Sequence, residues 1–135
     1  MGALCRNSPL PIALDEELIG ITEPARQMDL LETVRPQYII LKPSLVGGFR
    51  ASEHWIRLAG SVGAGWWVTS ALESNIGLNA IARWTATLEN PMPQGLGTGS
   101  LFTNNFESPM VVRKGYLKYD PSGHWNRKKL ENLCI

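Results

Sequence analysis

With 135 residues, 44% hydrophobic and 19% charged side chains, the chain is long enough to bury a core and too apolar to be disordered. A formal net charge of +1 gives no general attraction to nucleic acid or to a membrane surface, and no run approaches membrane-spanning length, so neither is expected as a partner. The two cysteines, Cys5 and Cys134, lie near opposite ends without metal-type spacing, which suits a reducing compartment better than a disulfide framework.

The opening MGALCRNSPLPIAL lacks the charged-then-apolar order of a signal peptide, and Arg6 stands where an acylation signal has Ser or Thr. A cytoplasmic location is therefore expected. The first strand-like run is PLPIALDEE at 9–17, which ends in acids. EPARQMDLLETV at 23–34 has apolar spacing suited to a short helix, with Met28, Leu30, Leu31 and Val34 on its buried face. PQYIILKPS at 36–44 reads as a buried strand in which Lys42 directly precedes Pro43, so pairing should stop at the lysine.

Gly47-Gly48 then breaks the chain, RASEHWIRLAGSVG at 50–63 can form an amphipathic helix, and AGWWVTSALES at 64–74 reads as another strand. GLNAIARWTATLE at 77–89 is a third helix. Strands alternating with helices over short loops predict an α/β fold with parallel pairing, as a layer or a barrel. The Pro- and Gly-rich stretch 90–105 reads as a loop enclosing a short last strand. PMVVRKGYLKYDPSGHW at 109–125 carries a hairpin signal around Lys114-Gly115. The basic residues Arg113, Lys114, Lys118, Arg127, Lys128 and Lys129 read as a solvated tail.

Parallel α/β folds gather functional groups at the carboxyl ends of their strands. The polar punctuation falls there: Asp15-Glu16-Glu17 after the first strand, Lys42 after the second, Thr69-Ser70 and then Glu73-Ser74-Asn75 after the third, and Gly95 to Thr98 near a fourth. Each has a structural explanation taken singly. Three acids suit a solvated turn or a helix start, a lysine can snorkel to a rim, and Thr69 and Ser70 can cap a turn. His54 and His124 have no partners at ligand spacing, and Trp66 and Trp67 read as strand core. Together, acids, an amine and hydroxyls on one rim suit chemistry that stabilises an enediolate.

IALDEEL, IILKPSLVGGF, VTSALESNIGLNAIARW and GLGTGSLF are similar, in order and spacing, to the C-terminal half of o-succinylbenzoate synthases, in the muconate-lactonising subgroup of the enolase superfamily. The resemblance covers roughly residues 9–106. It implies a (β/α) barrel with a separate capping domain, of which this chain holds about the last four β/α units and an extended tail. It also implies a lyase that uses Mg²⁺ to remove water from a cyclohexadiene carboxylate, giving o-succinylbenzoate for menaquinone. Carried over residue by residue, Asp15 matches a metal-binding acid, with Glu16 beside it. Lys42 matches the lysine facing the enediolate, Thr69 and Ser70 the strand end that contacts the substrate carboxylate, and Gly95 a backbone contact in the last loop.

The departures are as informative. A whole barrel of this kind takes about 250 residues. The family's Lys-x-Lys motif, which supplies its catalytic base, occurs nowhere in the chain, and neither do its first two metal acids. Residues 1–106 are expected to be barrel, and 107–135 a tail whose hairpin packs on barrel or cap. A fragment so depleted is expected to hold Mg²⁺ weakly and to be inactive alone. N-succinylamino acid racemases and dipeptide epimerases share the Asp15 and Lys42 positions, so a fragment of one of those is the second enzymatic reading. A self-associating half-barrel without catalytic role is the non-enzymatic one.

Overall fold

The apolar run at 38–41 is the central strand of a parallel sheet. The structure is a computed structural model, described for residues 1–132, so Cys134 lies outside the described residues. It divides into two units, one of residues 1–71 with 91–94 and the other of 72–90 with the residues from 95 onward.

In the first unit, β1 (Ala13–Leu14), β2 (Tyr38–Leu41) and β3 (Gly65–Val68) pair in that order, all parallel, with Ala13 opposite Tyr38 and Tyr38 opposite Gly65. Helix α1 (Gly2–Asn7) precedes β1, α2 (Pro24–Val34) joins β1 to β2, and α3 (Pro43–Val46) with α4 (Gly48–Ser61) joins β2 to β3. This is the α/β alternation expected from the sequence. Leu14, Ile39, Leu41 and Val68 are fully buried on one face, packed under a layer that includes Leu18, Leu31, Trp55 and Ala59. Tyr38 and Ile40 alternate to the other face and are only half-buried, so β2 is not sealed on both sides as the sequence suggested.

β1 is shorter than its nine-residue sequence run. Pro9 and Pro11 cannot donate to a ladder, and Asp15 turns the chain into a 3₁₀ helix at Glu16–Leu18. Gln37 compensates by accepting the Ile12 N–H at 2.9 Å and donating to the Cys5 carbonyl at 3.2 Å, which ties the entry of β1 to α1. The outer edge of β3 is closed similarly, since Gln94 Oε1 accepts the Val68 N–H at 2.7 Å.

Helix α2 starts at Pro24 and buries Gln27, Leu31 and Val34, a stripe at i, i+4 and i+7. Met28 and Leu30 are half-buried, and Gln27 takes the place expected for an apolar residue because its amide donates to the Ile21 carbonyl at 2.8 Å. The helix ends on Arg35 in the left-handed region, φ 51°, a conformation costing about 1 kcal/mol for a residue with a side chain. Arg35 offsets this by donating its N–H to Leu31 at 2.8 Å and its Nε to Glu32 at 3.3 Å.

Gly65 faces the Tyr38 ring across the β2–β3 pair. A methyl at Gly65 would lie 2.6 Å from Cδ1 and Cε1 of that ring. Gly65→Ala is therefore expected to lower stability by about 1–3 kcal/mol, read as a fall in the urea midpoint with an unchanged slope.

In the second unit, α5 (Asn75–Ala86) buries Leu78, Ile81, Ala82 and Thr85. It starts two residues before the predicted helix because the Asn75 N–H is accepted by Asn105 Oδ1 at 2.8 Å. Asn105 also donates to the Gly99 carbonyl at 2.9 Å, pinning the 95–106 loop. That loop reduces the expected short strand to a single β-bridge residue at Gly95, followed by a 3₁₀ turn at Thr98–Ser100, in keeping with its proline and glycine content. β4 (Met110–Arg113) and β5 (Tyr116–Tyr119) form an antiparallel hairpin that turns at Lys114-Gly115. Helix α6 (Arg127–Glu131) follows. Lys129 Nζ donates to the carbonyls of Asn104 and Asn105 at 2.9 and 2.8 Å, so this tail lysine is tied to the loop rather than merely solvated.

Candidate functional site

Strand register decides which polar groups can meet. Paired residues of a parallel sheet share a face, so Ala13, Tyr38 and Gly65 define one side, and alternation puts Asp15, Ile40, Lys42, Trp67 and Thr69 on it too. These residues face away from the helix-covered core. Tyr38 and Trp67 touch there, with ring centroids 5.8 Å apart.

Lys42 follows the last residue of β2, and its carbonyl accepts the N–H groups of Leu45 and Val46 at 2.8 and 3.1 Å. Pro43 opens α3 directly after it, so the lysine is anchored where strand becomes helix. Its Nζ stands 2.8 Å from both oxygens of Asp15. The hydrogen bond runs to Oδ2, while Oδ1 is buried and has only the ion-pair contact. Glu16 Oε1 lies 3.6 Å from the same ammonium. Glu17 has a different task, accepting the Asp15 backbone N–H at 3.0 Å and so holding the turn that presents Asp15.

The Lys42 side chain is 17% exposed, Asp15 38% and Glu16 76%, so the pair is sheltered from water on the lysine side. The hydrogen bond to Asp15 raises the Lys42 pKa above its ordinary 10.5, burial opposes the rise, and the charges of Asp15 and Glu16 add to it. A raised lysine contributes stability that is present below its unfolded pKa and lost as pH climbs through the folded one. The stability difference between the natural chain and Lys42→Met is therefore expected to stay level through neutral pH. It should move toward the value for an uncharged lysine above about 10.5, as followed by urea unfolding at stepped pH.

Thr69 continues β3, donating its N–H to the Leu41 carbonyl at 2.9 Å, and is half-buried on the Lys42 face. Ser70 alternates to the core side and is 5% exposed. The structure thus brings Asp15, Glu16 and Lys42 into contact and sets Thr69 on their face. Gly95 is a β-bridge residue and is counted in the second unit. His54 is half-buried on α4 with Nδ1 3.3 Å from Arg57, and His124 is exposed. The Glu17 contact and the Tyr38–Trp67 pair went unread in the sequence. Counting back by twos from Lys42 to Tyr38 and from Thr69 to Trp67 would have found the aromatic pair.

A divalent cation needs several anionic oxygens to replace its water. Among the described residues no group of three or more His, Cys, Asp or Glu comes together to hold one. Asp15 Oδ1, a buried carboxylate oxygen whose partner is the Lys42 ammonium at 2.8 Å, offers one such oxygen and no more. Among the described residues no helix is long and apolar enough to cross a membrane.

No protein-family model matches the chain. Over 117 residues it is 61% identical to a protein of Desulfotalea psychrophila named o-succinylbenzoate synthase, covering 87% of this chain and 32% of that one. It is 30% identical over 122 residues to one of the same name from Mycobacterium leprae, covering 90% and 35%. The chain spans about a third of the length of the curated relatives it matches. The crystal structure of MenC from Desulfotalea psychrophila superposes with a TM-score of 0.82 at 59% identity, over 86% of this chain and 32% of that one. Muconate lactonizing enzyme from Pseudomonas putida superposes with a TM-score of 0.77 at 23% identity, over 97% and 37%, a likeness of fold alone. The parallel sheet and its helices accordingly match about a third of these larger barrel proteins.

Proposed function

We infer that the chain is the C-terminal part of an o-succinylbenzoate synthase, in the muconate-lactonising subgroup of the enolase superfamily. Its residues would serve a Mg²⁺-dependent dehydration that forms o-succinylbenzoate for menaquinone. The observation that carries this reading is the Asp15–Lys42 pair, an acid and an amine 2.8 Å apart beyond the carboxyl ends of adjacent parallel strands. Residues 1–106 would be barrel and 107–135 the tail that packs on it or on the cap.

Asp15 would be one ligand of the cation, with Glu16 beside it. When bound, the cation supplies positive charge that offsets the enediolate. Lys42 would face the same oxyanion side of the substrate and keep its proton there, a fixed ammonium opposing the developing negative charge. Thr69 and Ser70 end the strand that would meet the substrate carboxylate, and Gly95 would offer backbone to it. The base would come from the part of the enzyme that precedes this chain.

Two measurements test the reading. The purified chain alone is expected to show no turnover above a Lys42→Ala control, because a missing base by itself removes about a hundred- to ten-thousand-fold. A chimera in which this chain replaces the matching third of the Desulfotalea psychrophila protein is expected to form o-succinylbenzoate. A folded chimera that instead racemises N-succinylamino acids or epimerises dipeptides, and forms no o-succinylbenzoate, would move the assignment to that branch of the subgroup.

A further inference from the structure

We propose that Lys129, in the tail, is a positioning residue for the loop that carries Gly95. The inference rests on the reading of Gly95 as a substrate contact and adds what holds that contact in place. Gly95, Gly97 and Gly99 stand close together in a stretch with no more strand than a single bridge, so the 95–106 loop has much backbone entropy to lose on ordering. Side chains have to fix it. Asn105 does most of this: its Oδ1 accepts the N–H groups of Asn75 and Phe106, each at 2.8 Å, and its Nδ2 donates to the Gly99 carbonyl at 2.9 Å. Asn75 in turn donates its Nδ2 to the Phe106 carbonyl. The loop is thereby closed onto the start of α5, and Gly99 lies so near that a methyl there would collide with Asn75 Oδ1.

The backbone of the same segment is held from the tail. Lys129 Nζ donates to the carbonyls of Asn104 and Asn105, 25 and 24 positions away, and stands 5.1 Å from the centre of the Phe106 ring, so one cation meets three successive residues. Its own backbone is fixed by Asn126, whose Oδ1 accepts the Lys129 N–H at 3.1 Å where α6 begins. A lysine gives up rotamer freedom to keep this geometry, which charge-assisted bonds to two carbonyls and an electron-rich ring face offset. The consequence reaches Gly95 through Asn105. Without the ammonium, residues 104–106 are freed, the Asn105 side chain loses its fixed place, and Gly99 and the glycines before it lose their tie to α5. A tail lysine that only decorated the surface would leave the loop as it is.

The test is amide hydrogen exchange of the whole chain by nuclear magnetic resonance, read at Asn75 and Phe106, whose N–H groups are bonded to Asn105, with the amides of β2 as the control for global stability. Lys129→Met is expected to speed exchange at both about tenfold and to leave β2 unchanged. Lys129→Arg, which still donates to two carbonyls and stacks on a ring, should stay within about twofold of the natural chain. In the chimera with the Desulfotalea psychrophila protein, Lys129→Met is expected to raise KM about fivefold with kcat within about twofold, and Lys129→Arg to restore KM. Unchanged exchange at Asn75 and Phe106 in Lys129→Met overturns the tie between tail and loop. Faster exchange with an unchanged KM overturns the positioning role. A chimera that shows no turnover with Lys129 in place sinks the synthase reading instead, and exchange in the chain alone still decides whether Lys129 holds the loop.

Discussion

Lys42→Ala in the chimera with the Desulfotalea psychrophila protein is expected to lower kcat/KM for o-succinylbenzoate formation by about a hundred- to ten-thousand-fold. That range corresponds to roughly 2.7–5.5 kcal/mol of transition-state stabilisation. The expectation follows from where the amine is held. β2 carries it to the end of the sheet, Pro43 and the Leu45 and Val46 N–H groups fix its backbone, and register places it on the face of Asp15 and Thr69. A charge held that way costs little reorganisation when an enediolate forms.

Two companion variants separate chemistry from packing. Lys42→Arg keeps the charge but replaces a compact ammonium with a planar fork that does not fit astride one carboxylate in the same way, so activity is expected to stay low. Thr69→Ala removes a hydroxyl that would contact substrate, and its effect should fall mainly on KM. A Lys42→Ala chimera within tenfold of its parent would reduce the lysine to a structural counter-ion of Asp15.

Much of this site was legible because strand ends are punctuated. The lysine between Leu41 and Pro43, and the acids after Leu14, announce themselves by breaking apolar runs, and their convergence follows from parallel pairing. What the sequence concealed was set by tertiary partners. Ser70 looks like a twin of Thr69, yet alternation buries it at 5% exposure. Gln27 reads as polar helix surface, yet it is 2% exposed because the Ile21 carbonyl waits for its amide. The shortness of β1 depends on Gln37, a residue of another strand's approach, taking over the Ile12 N–H. Asn105 likewise moves the start of α5 from thirty positions away. Periodicity reports which faces are apolar, but not which distant side chain will satisfy a backbone group.

Trp55→Ala is expected to cost about 3–5 kcal/mol, as truncation of the largest fully buried side chain. Trp55 is fully buried on α4, on the stripe it forms with Ser52 and Ala59. An indole takes roughly 200 Å² out of water, worth about 5 kcal/mol at 25 cal/mol per Å², and alanine would leave most of that volume as a cavity. Domains of this size are stable by only about 5–15 kcal/mol, so the variant should sit near its unfolding midpoint in modest urea. Trp55→Phe should behave quite differently. The indole Nε1 is buried without a hydrogen-bond partner, so phenylalanine removes an unsatisfied donor worth about 1–3 kcal/mol while losing a part of the packing of similar size. The two terms oppose, and the net change is expected within about 1 kcal/mol of the natural chain. Urea unfolding of both variants, followed by circular dichroism, decides it. A Trp55→Phe loss as large as that of Trp55→Ala would mean that the indole nitrogen is bonded after all and that its polarity, rather than its volume, holds α4 against the sheet.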